Sequence, residues 1–246
     1  MSDFKTIIKS FEVKDELTSE IWEPSGKKMK PEVRNRLLEI AEEFINFLKV
    51  DVFVNDIVMT GSLSNYNWSE FSDVDLHIIT DMENYGDQKE LYDELFKVKK
   101  SLFNLTHDIT VKGYDVELYV EPKNQDHFSS GIYSVLNDEW INEPEKEEVK
   151  IDGKKIKQKS EDWMDIIDTV IDEVQDESIE DAKEIISKYK EKLRNYRTAG
   201  LKKGGEYSYE NLVYKVLRRN GYLEKFVELE NRLVDKELSL DENELF

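Results

Sequence analysis

Cysteine is absent from the 246-residue chain, and so is any long apolar segment. Without cysteine there is no disulfide framework, no thiolate metal site and no thiol nucleophile. No apolar run approaches the roughly 20 residues that a membrane-spanning helix needs. The N-terminal sequence MSDFKTIIKSFEVKDEL is mixed in charge and lacks the apolar core of a signal peptide. These absences predict a soluble, cytoplasmic protein.

Positive charge is also in short supply. The chain has 35 lysines and arginines against 55 aspartates and glutamates, which gives a formal net charge of −20. A charge of this sign opposes broad, sequence-independent binding to nucleic acid, although it is compatible with a local basic site. Hydrophobic residues make up 39% and charged residues 37% of the chain, as in a globular protein with a heavily solvated surface. The length allows one large domain or two small ones.

The most informative stretch is IVMTGSLSNYNWSEFSDVDLHIIT, residues 57–80. It predicts an apolar strand, a tight Gly61-Ser62 turn, a polar connector and a second strand. In the second strand Asp73 and Asp75 alternate with aliphatic residues, so both carboxylates point to the same face. Two carboxylates this close repel each other, and a divalent cation such as Mg²⁺, which prefers hard oxygen ligands, removes the conflict.

The Gly61-Ser62 turn supplies groups that suit a phosphate. Glycine has no Cβ, so its backbone can approach an anion closely, and the amides and hydroxyl of the turn can hold anionic oxygens. Beside paired carboxylates that bind a metal, such a turn predicts metal-dependent chemistry on a nucleoside triphosphate.

These residues resemble a known signature. A glycine-serine pair, ten intervening residues and Asp-Val-Asp between apolar residues is similar to the motif of the DNA polymerase β-like nucleotidyltransferase superfamily. More closely, TGSLSNYNWSEFSDVDLHI and GYDVELYVEP resemble predicted nucleotidyltransferases encoded by tailed phages, and YSYENLVYKVLRRNGY extends the resemblance toward the C-terminus. The resemblance implies that the turn leads into a helix whose N-terminus faces the triphosphate. For a phage protein the expected location is the host cytoplasm.

The superfamily also implies a third carboxylate on a later strand. Residues 114–120, YDVELYV, alternate again and place Asp115, Glu117 and Tyr119 on one face. Glu117 lies between apolar neighbours and is the preferred third carboxylate. Asp115, on the same face, is the alternative.

The reaction that the resemblance implies is metal-dependent nucleotidyl transfer. Asp73 and Asp75 are expected to bind two Mg²⁺ or Mn²⁺ ions, with Glu117 on the ion nearer the acceptor and Gly61 and Ser62 on the β- and γ-phosphates. An acceptor hydroxyl then attacks the α-phosphate of an NTP and releases pyrophosphate. The acceptor stays open between an RNA 3′ end such as tRNA, a protein and a small molecule. The alternatives are a non-catalytic acidic phage protein that binds a host factor, and a nucleotide-binding sensor.

A basic cluster near the C-terminus interrupts the acidic composition. Lys215, Arg218 and Arg219 lie at i, i+3 and i+4 on a predicted helix, which places them in one surface neighbourhood. Lys215 and Arg218 are candidate contacts to a triphosphate or to an RNA acceptor. Alternatively, the cluster balances acidic neighbours such as Glu210 and Glu224.

Five further residues are candidates for weaker reasons. Arg34 and Arg36 stand in the first turns of a predicted helix, where they either contact an anion or are solvated. Asn65 and Tyr66 either reach the nucleotide or pack the connector. His77 follows Asp75 on the same strand face, and it is either near the site or a packed, hydrogen-bonded residue.

The expected fold class is α/β (α+β), with a small mixed sheet flanked by helices and then a helical C-terminal part. Leu91, Leu95, Val98 and Leu102, at 3.5-residue spacing, mark one helix. The charged stretch at 143–159 is the predicted boundary. It separates an N-terminal arm and catalytic domain at 1–145 from a helical domain at 160–246, with the nucleotide between them. The predicted elements are helices over 31–49, 87–104 and 162–197 (broken near 176), and a hairpin of strands at 109–111 and 114–120.

Overall fold

The computed structural model describes residues 4–124, 129–146 and 149–239. They divide into two compact units, which we call the sheet unit and the helical unit. The sheet unit runs from Glu12 to Val149, and the helical unit combines the described residues through Phe11 with those from Lys150 onward. The start of the chain thus groups with the C-terminal helices. The predicted domain boundary stays a prediction, because compactness alone does not show which parts fold independently.

Within the described residues there are six β-strands and seven α-helices. The strands are β1 Val54–Thr60, β2 Val74–Thr80, β3 Thr110–Val111, β4 Tyr114–Pro122, β5 Ile132–Ser134 and β6 Glu139–Asn142. The helices are α1 Phe4–Lys9, α2 Pro31–Leu48, α3 Lys89–Thr106, α4 Gly153–Glu173, α5 Ile179–Gly204, α6 Tyr209–Arg219 and α7 Tyr222–Leu238. Short 3₁₀ turns span Ser62–Ser64, Met82–Gln88 and Gly205–Tyr207.

The six strands form one mixed sheet in the order β3-β4-β2-β1-β5-β6. β2 and β4 are parallel, and the other neighbours are antiparallel. A parallel pair needs a long crossover, which α3 provides between β2 and β4. The mixed sheet with helices confirms the predicted α/β fold class.

One face of the sheet forms the core with α2 and α3. The predicted stripe of α2, from Leu37 through Phe44 to Leu48, is buried there. Phe44 meets Phe103 of α3 with ring centroids 5.0 Å apart. Because side chains alternate along a strand, burying Leu76 of β2 against these helices turns the odd-numbered residues of β2 to the other face.

Strands β5 and β6 extend the sheet beyond β1, and the sequence did not predict them. Trp22, from the segment before α2, is 1% exposed and packs between Tyr133 of β5 and Trp140 of β6, with ring centroids at 4.9 Å and 4.4 Å. Its indole Nε1 donates a hydrogen bond of 2.8 Å to the carbonyl oxygen of Leu63. The buried tryptophan therefore ties the new strands to the turn that follows β1.

The helical unit is built from α1 and α4–α7. α4 begins at Gly153, inside the charged stretch that was predicted to be the boundary. The sequence did not indicate this start, because Ile156 is a single buried residue among the charged residues of the first turns. Asp152 caps its N-terminus by accepting a hydrogen bond from the Lys155 amide. Ser178 caps α5 in the same way, which explains the break predicted near Asp176. Within the described part of the chain, none of the helices has the length and apolar character to cross a membrane.

Candidate active site

Three carboxylates converge on the face of the sheet opposite to the core. Asp73, Asp75 and Glu117 each offer an oxygen, and these atoms all lie within 4.8 Å of one another. Asp75 and Glu117 are direct partners in the parallel pairing of β2 with β4. Asp73 precedes Asp75 by two residues and thus shares its face. The structure therefore brings together the two aspartates and the preferred third carboxylate.

The register of β4 separates Glu117 from its alternative. Asp115 lies two residues earlier, is exposed, and pairs with Thr110 of β3 at the edge of the sheet. Glu117, on the same strand, pairs instead with Asp75 of β2, the neighbouring strand toward the middle of the sheet. Asp115 is not a member of the carboxylate group. The geometry therefore favours Glu117 as the third ligand.

Gly61 lies directly against this carboxylate group. Its φ of +76° and ψ of −164° fall in a region that is essentially restricted to glycine. A Cβ at this position would stand only 1.9 Å from Oδ2 of Asp75. Glycine is therefore required here both by the backbone conformation and by the space that Asp75 fills.

Ser62 links the turn to the start of the carboxylate strand. Its hydroxyl donates a hydrogen bond of 2.7 Å to Oγ of Ser72, the residue before Asp73. The Ser72 hydroxyl also accepts a 2.9 Å bond from the Ser69 amide. The turn and the connector thus hold each other beside the carboxylates, in the place where the sequence predicted contacts to phosphate.

A short 3₁₀ turn, Ser62–Ser64, follows Gly61 where the resemblance implied a helix. Asn65 ends the turn, and its side-chain amide forms hydrogen bonds to two backbone segments. Its Nδ2 donates to the Gly61 carbonyl at 2.7 Å, and its Oδ1 accepts from the Gly131 amide at 2.8 Å. Gly131 also approaches the turn closely, because a Cβ at that position would lie 1.9 Å from the Ser64 carbonyl oxygen. Asn65 is therefore a packing residue that shapes the turn.

Tyr119 is a site residue to which sequence reasoning gave no role. Its hydroxyl donates a hydrogen bond to Oε2 of Glu117. Its ring stacks on His77, with centroids 4.6 Å apart, and the Lys100 ammonium lies 4.3 Å from the ring centroid. Burial, and then the negative charge of Asp75, raise the pKa of Tyr119, so its hydroxyl stays a donor. The signal available in the sequence was its position on the same strand face as Glu117.

His77 is a buried connector between three strands. Its Nε2 lies 3.0 Å from Oγ1 of Thr60 on β1, and its Nδ1 lies 2.9 Å from the Glu121 carboxylate on β4. These contacts, with the stacking on Tyr119, support the packed and hydrogen-bonded interpretation of His77. It does not belong to the carboxylate group.

The remaining weak candidates in the sheet unit have structural contacts. Arg34 donates from Nε and Nη2 to the carbonyl oxygens of Val135 and Leu136, both at 2.8 Å. Arg36 forms an exposed ion pair of 3.1 Å with Glu39. These arginines therefore brace the surface of the unit.

The predicted basic cluster lies on α6 of the helical unit. Arg219 donates a 2.6 Å hydrogen bond to Oγ of Ser10, so it is used within the unit. Arg218 is exposed, whereas Lys215 is half-buried. Burial lowers the pKa of Lys215, and the positive charges of Arg219 and Arg218 lower it further against the opposing charge of Glu206. Contacts of Lys215 and Arg218 with phosphate stay a prediction.

The donor set of the carboxylate group fits a hard divalent cation. It consists only of carboxylate oxygens, which Mg²⁺ and Mn²⁺ prefer as ligands. Three carboxylates within 4.8 Å repel one another, and a bound cation would offset that repulsion. Asp73, Asp75 and Glu117 are thus suited to hold a hard divalent cation.

Comparison with known proteins agrees with this geometry. A family model described as a nucleotidyltransferase domain matches residues 38–136, which include the Gly61 turn and all three carboxylates. Neither the curated proteins nor the solved structures that were compared with the chain gave a match. Residues 38–136 are therefore similar to a nucleotidyltransferase domain, which supports a transferase of the nucleotidyltransferase class and agrees with the resemblance to the DNA polymerase β-like superfamily.

Proposed function

We propose that this protein transfers a nucleoside monophosphate from an NTP to an acceptor hydroxyl, with Asp73, Asp75 and Glu117 as its catalytic and metal-binding residues. The observation that carries the proposal is the meeting of these carboxylates within 4.8 Å, inside the matched domain. Gly61 adds a close backbone approach beside them. A nucleotidyltransferase needs both parts, a metal site and an adjacent place for phosphates.

Each part has a role in the proposed reaction. The three carboxylates would hold two Mg²⁺ or Mn²⁺ ions, which when bound neutralise the charge that develops on the phosphate oxygens. Gly61 and Ser62 hold the β- and γ-phosphates through the backbone amides of the turn. The acceptor oxygen bonds to the α-phosphorus, the bond from that phosphorus to the β-bridging oxygen breaks, and pyrophosphate leaves with the electron pair. Glu117 accepts the proton of the acceptor hydroxyl.

For the acceptor we propose an RNA 3′ end such as tRNA, a protein hydroxyl or a small molecule. The exposed Arg218 and the neighbouring Lys215 give slight support to an acceptor that carries phosphate. The net charge of −20 argues against a processive polymerase that holds a long duplex. The resemblance to tailed-phage proteins supports the host cytoplasm as the place of action.

Label transfer tests this function. The purified protein is incubated with Mg²⁺ or Mn²⁺, with each α-³²P-labelled NTP in turn, and with tRNA or cell lysate. The matched control is the Asp73→Asn/Asp75→Asn variant, which keeps the size of both side chains and removes their charge. We expect label on an RNA, protein or small-molecule band with the wild type and none with the variant.

The same assay separates the alternatives. Metal-dependent nucleotide binding without pyrophosphate release would replace the transferase by a nucleotide sensor. Absence of both transfer and nucleotide binding would leave an acidic protein that binds a host factor. Equal transfer by wild type and variant would remove the carboxylate group from the mechanism.

A further inference from the structure

Helix α3 has two apolar faces, and only one of them is in the core. Phe96 and Phe103 point inward and are each 2% exposed. A second series lies on the outside and is called here the outer stripe. It consists of Leu91, Leu95, Val98, Leu102 and Leu105. In this stripe Leu91 is 63%, Val98 65% and Leu105 83% exposed.

The spacing of the outer stripe is that of a coiled-coil seam. Its members follow one another at intervals of four, three, four and three residues, which is the a/d pattern of a heptad repeat. Single exposed apolar residues need no explanation, but an apolar stripe with four exposed members and only Leu95 half-buried marks an interaction surface. A seam with this period fits another helix that carries the same period.

The helix that carries the stripe is fixed by its other side. Phe103 packs on Phe44, with ring centroids 5.0 Å apart. Asn104 pairs with the backbone of Leu118 in both directions, donating at 3.1 Å and accepting at 3.2 Å. The seam is therefore presented on a preformed helix, which lowers the ordering cost of association.

The charges beside the seam are complementary to those of a second copy of this chain. Glu94, which is exposed, stands at a g position, and Lys99, whose ammonium lies 5.1 Å from the ring centroid of Phe47, stands five residues later at the following e position. In a parallel pair of helices each g side chain faces the e side chain five residues on in the other helix, so two copies make this Glu–Lys pair twice. In an antiparallel pair the g flank meets the g flank and the e flank the e flank, and Glu94 and Lys99 do not meet. We propose that the outer stripe joins two copies of this chain, α3 against α3 in parallel.

Pairing and catalysis would use different faces of the sheet unit. Helix α3 packs on the core face of the sheet, whereas Asp75 and Glu117 lie on the opposite face. The proposal does not rest on the proposed reaction. Variants of the stripe are expected to keep nucleotidyl transfer, so failure of one proposal is distinguishable from failure of the other.

Single cysteines test the pairing directly, because the chain has none of its own. In a parallel pair, residue 91 meets residue 91 and residue 105 meets residue 105, within the roughly 4.4–6.8 Å between Cα atoms that a disulfide allows. We expect Leu91→Cys and Leu105→Cys each to give covalent dimers on mild oxidation. Lys97→Cys, exposed on α3 but off the stripe, is the matched control and should give no covalent dimer. Cross-linking only between Leu91→Cys and Leu105→Cys in a mixture would overturn the parallel arrangement.

Sedimentation of the full chain tests the seam and its charges. We expect the wild type to sediment as a dimer. Val98→Glu should weaken association at least about 100-fold because it places an unpaired charge in each half of the seam. Glu94→Lys and Lys99→Glu should each weaken association about fivefold, and the double variant should restore it. Circular dichroism melting shows whether each variant folds. A wild type that is monomeric at every concentration, or a double variant no better than the singles, would overturn the proposal.

Discussion

Replacing Gly61 by alanine adds one atom, a Cβ, that should both lower the free energy of unfolding and displace the Asp75 carboxylate. The added Cβ must occupy a backbone conformation with φ of +76° and ψ of −164°. It must also occupy a point 1.9 Å from Oδ2 of Asp75, 2.9 Å from its Cγ and 3.4 Å from its Cβ. The first effect changes the free energy of unfolding. The second moves a carboxylate out of the group that it forms with Asp73 and Glu117.

Both effects have a magnitude. A residue other than glycine in this backbone region costs about 1–3 kcal/mol, or about 5- to 150-fold in the folding equilibrium. A distance of 1.9 Å is far inside van der Waals contact, so the Asp75 carboxylate has to rotate away. Disturbing a group that orients a metal ligand typically lowers metal affinity about 10- to 100-fold. We therefore expect Gly61→Ala to lose at least about tenfold in Mn²⁺ affinity and to lose transfer activity with it.

Gly205 supplies the matched control. It has nearly the same backbone conformation, φ 62° and ψ −154°, and apart from its two chain neighbours no described residue has a heavy atom within 4 Å of its would-be Cβ. Gly205→Ala should therefore lose a comparable about 1–3 kcal/mol in urea unfolding and bind Mn²⁺ as the wild type does. Electron paramagnetic resonance of free Mn²⁺ gives the affinity of each variant. Wild-type Mn²⁺ affinity in Gly61→Ala would refute the assignment of Asp75 to the metal site.

Three further variants test neighbouring parts of the site. Tyr119→Phe keeps the stacking on His77 but removes the hydrogen bond to Glu117, so Mn²⁺ affinity should fall about tenfold, and an unchanged titration would count against this role. Glu117→Gln should lower the rate of transfer more than about 100-fold, which is more than the loss of a group that only orients a metal ligand usually causes. Asp115→Asn should keep the rate within about threefold of the wild type. The reverse order would exchange the roles of the two residues. Asn65→Ala should lower the free energy of unfolding by about 2–4 kcal/mol, because it leaves the Gly61 carbonyl and a buried amide without their partner, and urea unfolding measures it.

The parts of the fold that the sequence predicted correctly are those with a local period. The helix at Pro31–Leu48 buries the stripe that its 3.6-residue spacing indicates. Asp73, directly before β2, and Asp75 within it lie in one carboxylate group, as their two-residue spacing predicted. The periodic spacing of apolar residues is a property of a short stretch of sequence, so it can be read without knowledge of the rest of the chain.

The parts that it missed depend on contacts between distant residues. β5 and β6 are short, and their places are set by Trp22, more than a hundred residues earlier in the chain. Asn65 shapes the turn through the amide of Gly131, 66 residues away. Neither contact leaves a local pattern in the sequence. Of the helix that the resemblance implied after the turn, the structure has the short 3₁₀ turn Ser62–Ser64.

The register between β2 and β4 separated Asp115 from Glu117, which alternation along the strand could not do. Asp115 and Glu117 share a face of β4, so the period alone could not separate them. The pairing of Asp75 with Glu117 places one carboxylate in the group and leaves the other near β3. The spacing of Leu91 and its successors also predicted α3 correctly, but this series lies on the outer side of the helix, where Phe96 and Phe103 take the core positions.

Parallel reactions with α-³²P- and γ-³²P-labelled NTP, under the same metal and acceptor conditions, test the central claim most directly. If the protein is a nucleotidyltransferase that uses Asp73, Asp75 and Glu117, the α-label moves to the acceptor and the γ-label leaves as pyrophosphate. Both signals are expected to disappear in Glu117→Gln and to persist in Asp115→Asn. Transfer of the γ-label to the acceptor, or α-label transfer that survives Glu117→Gln, would contradict the account.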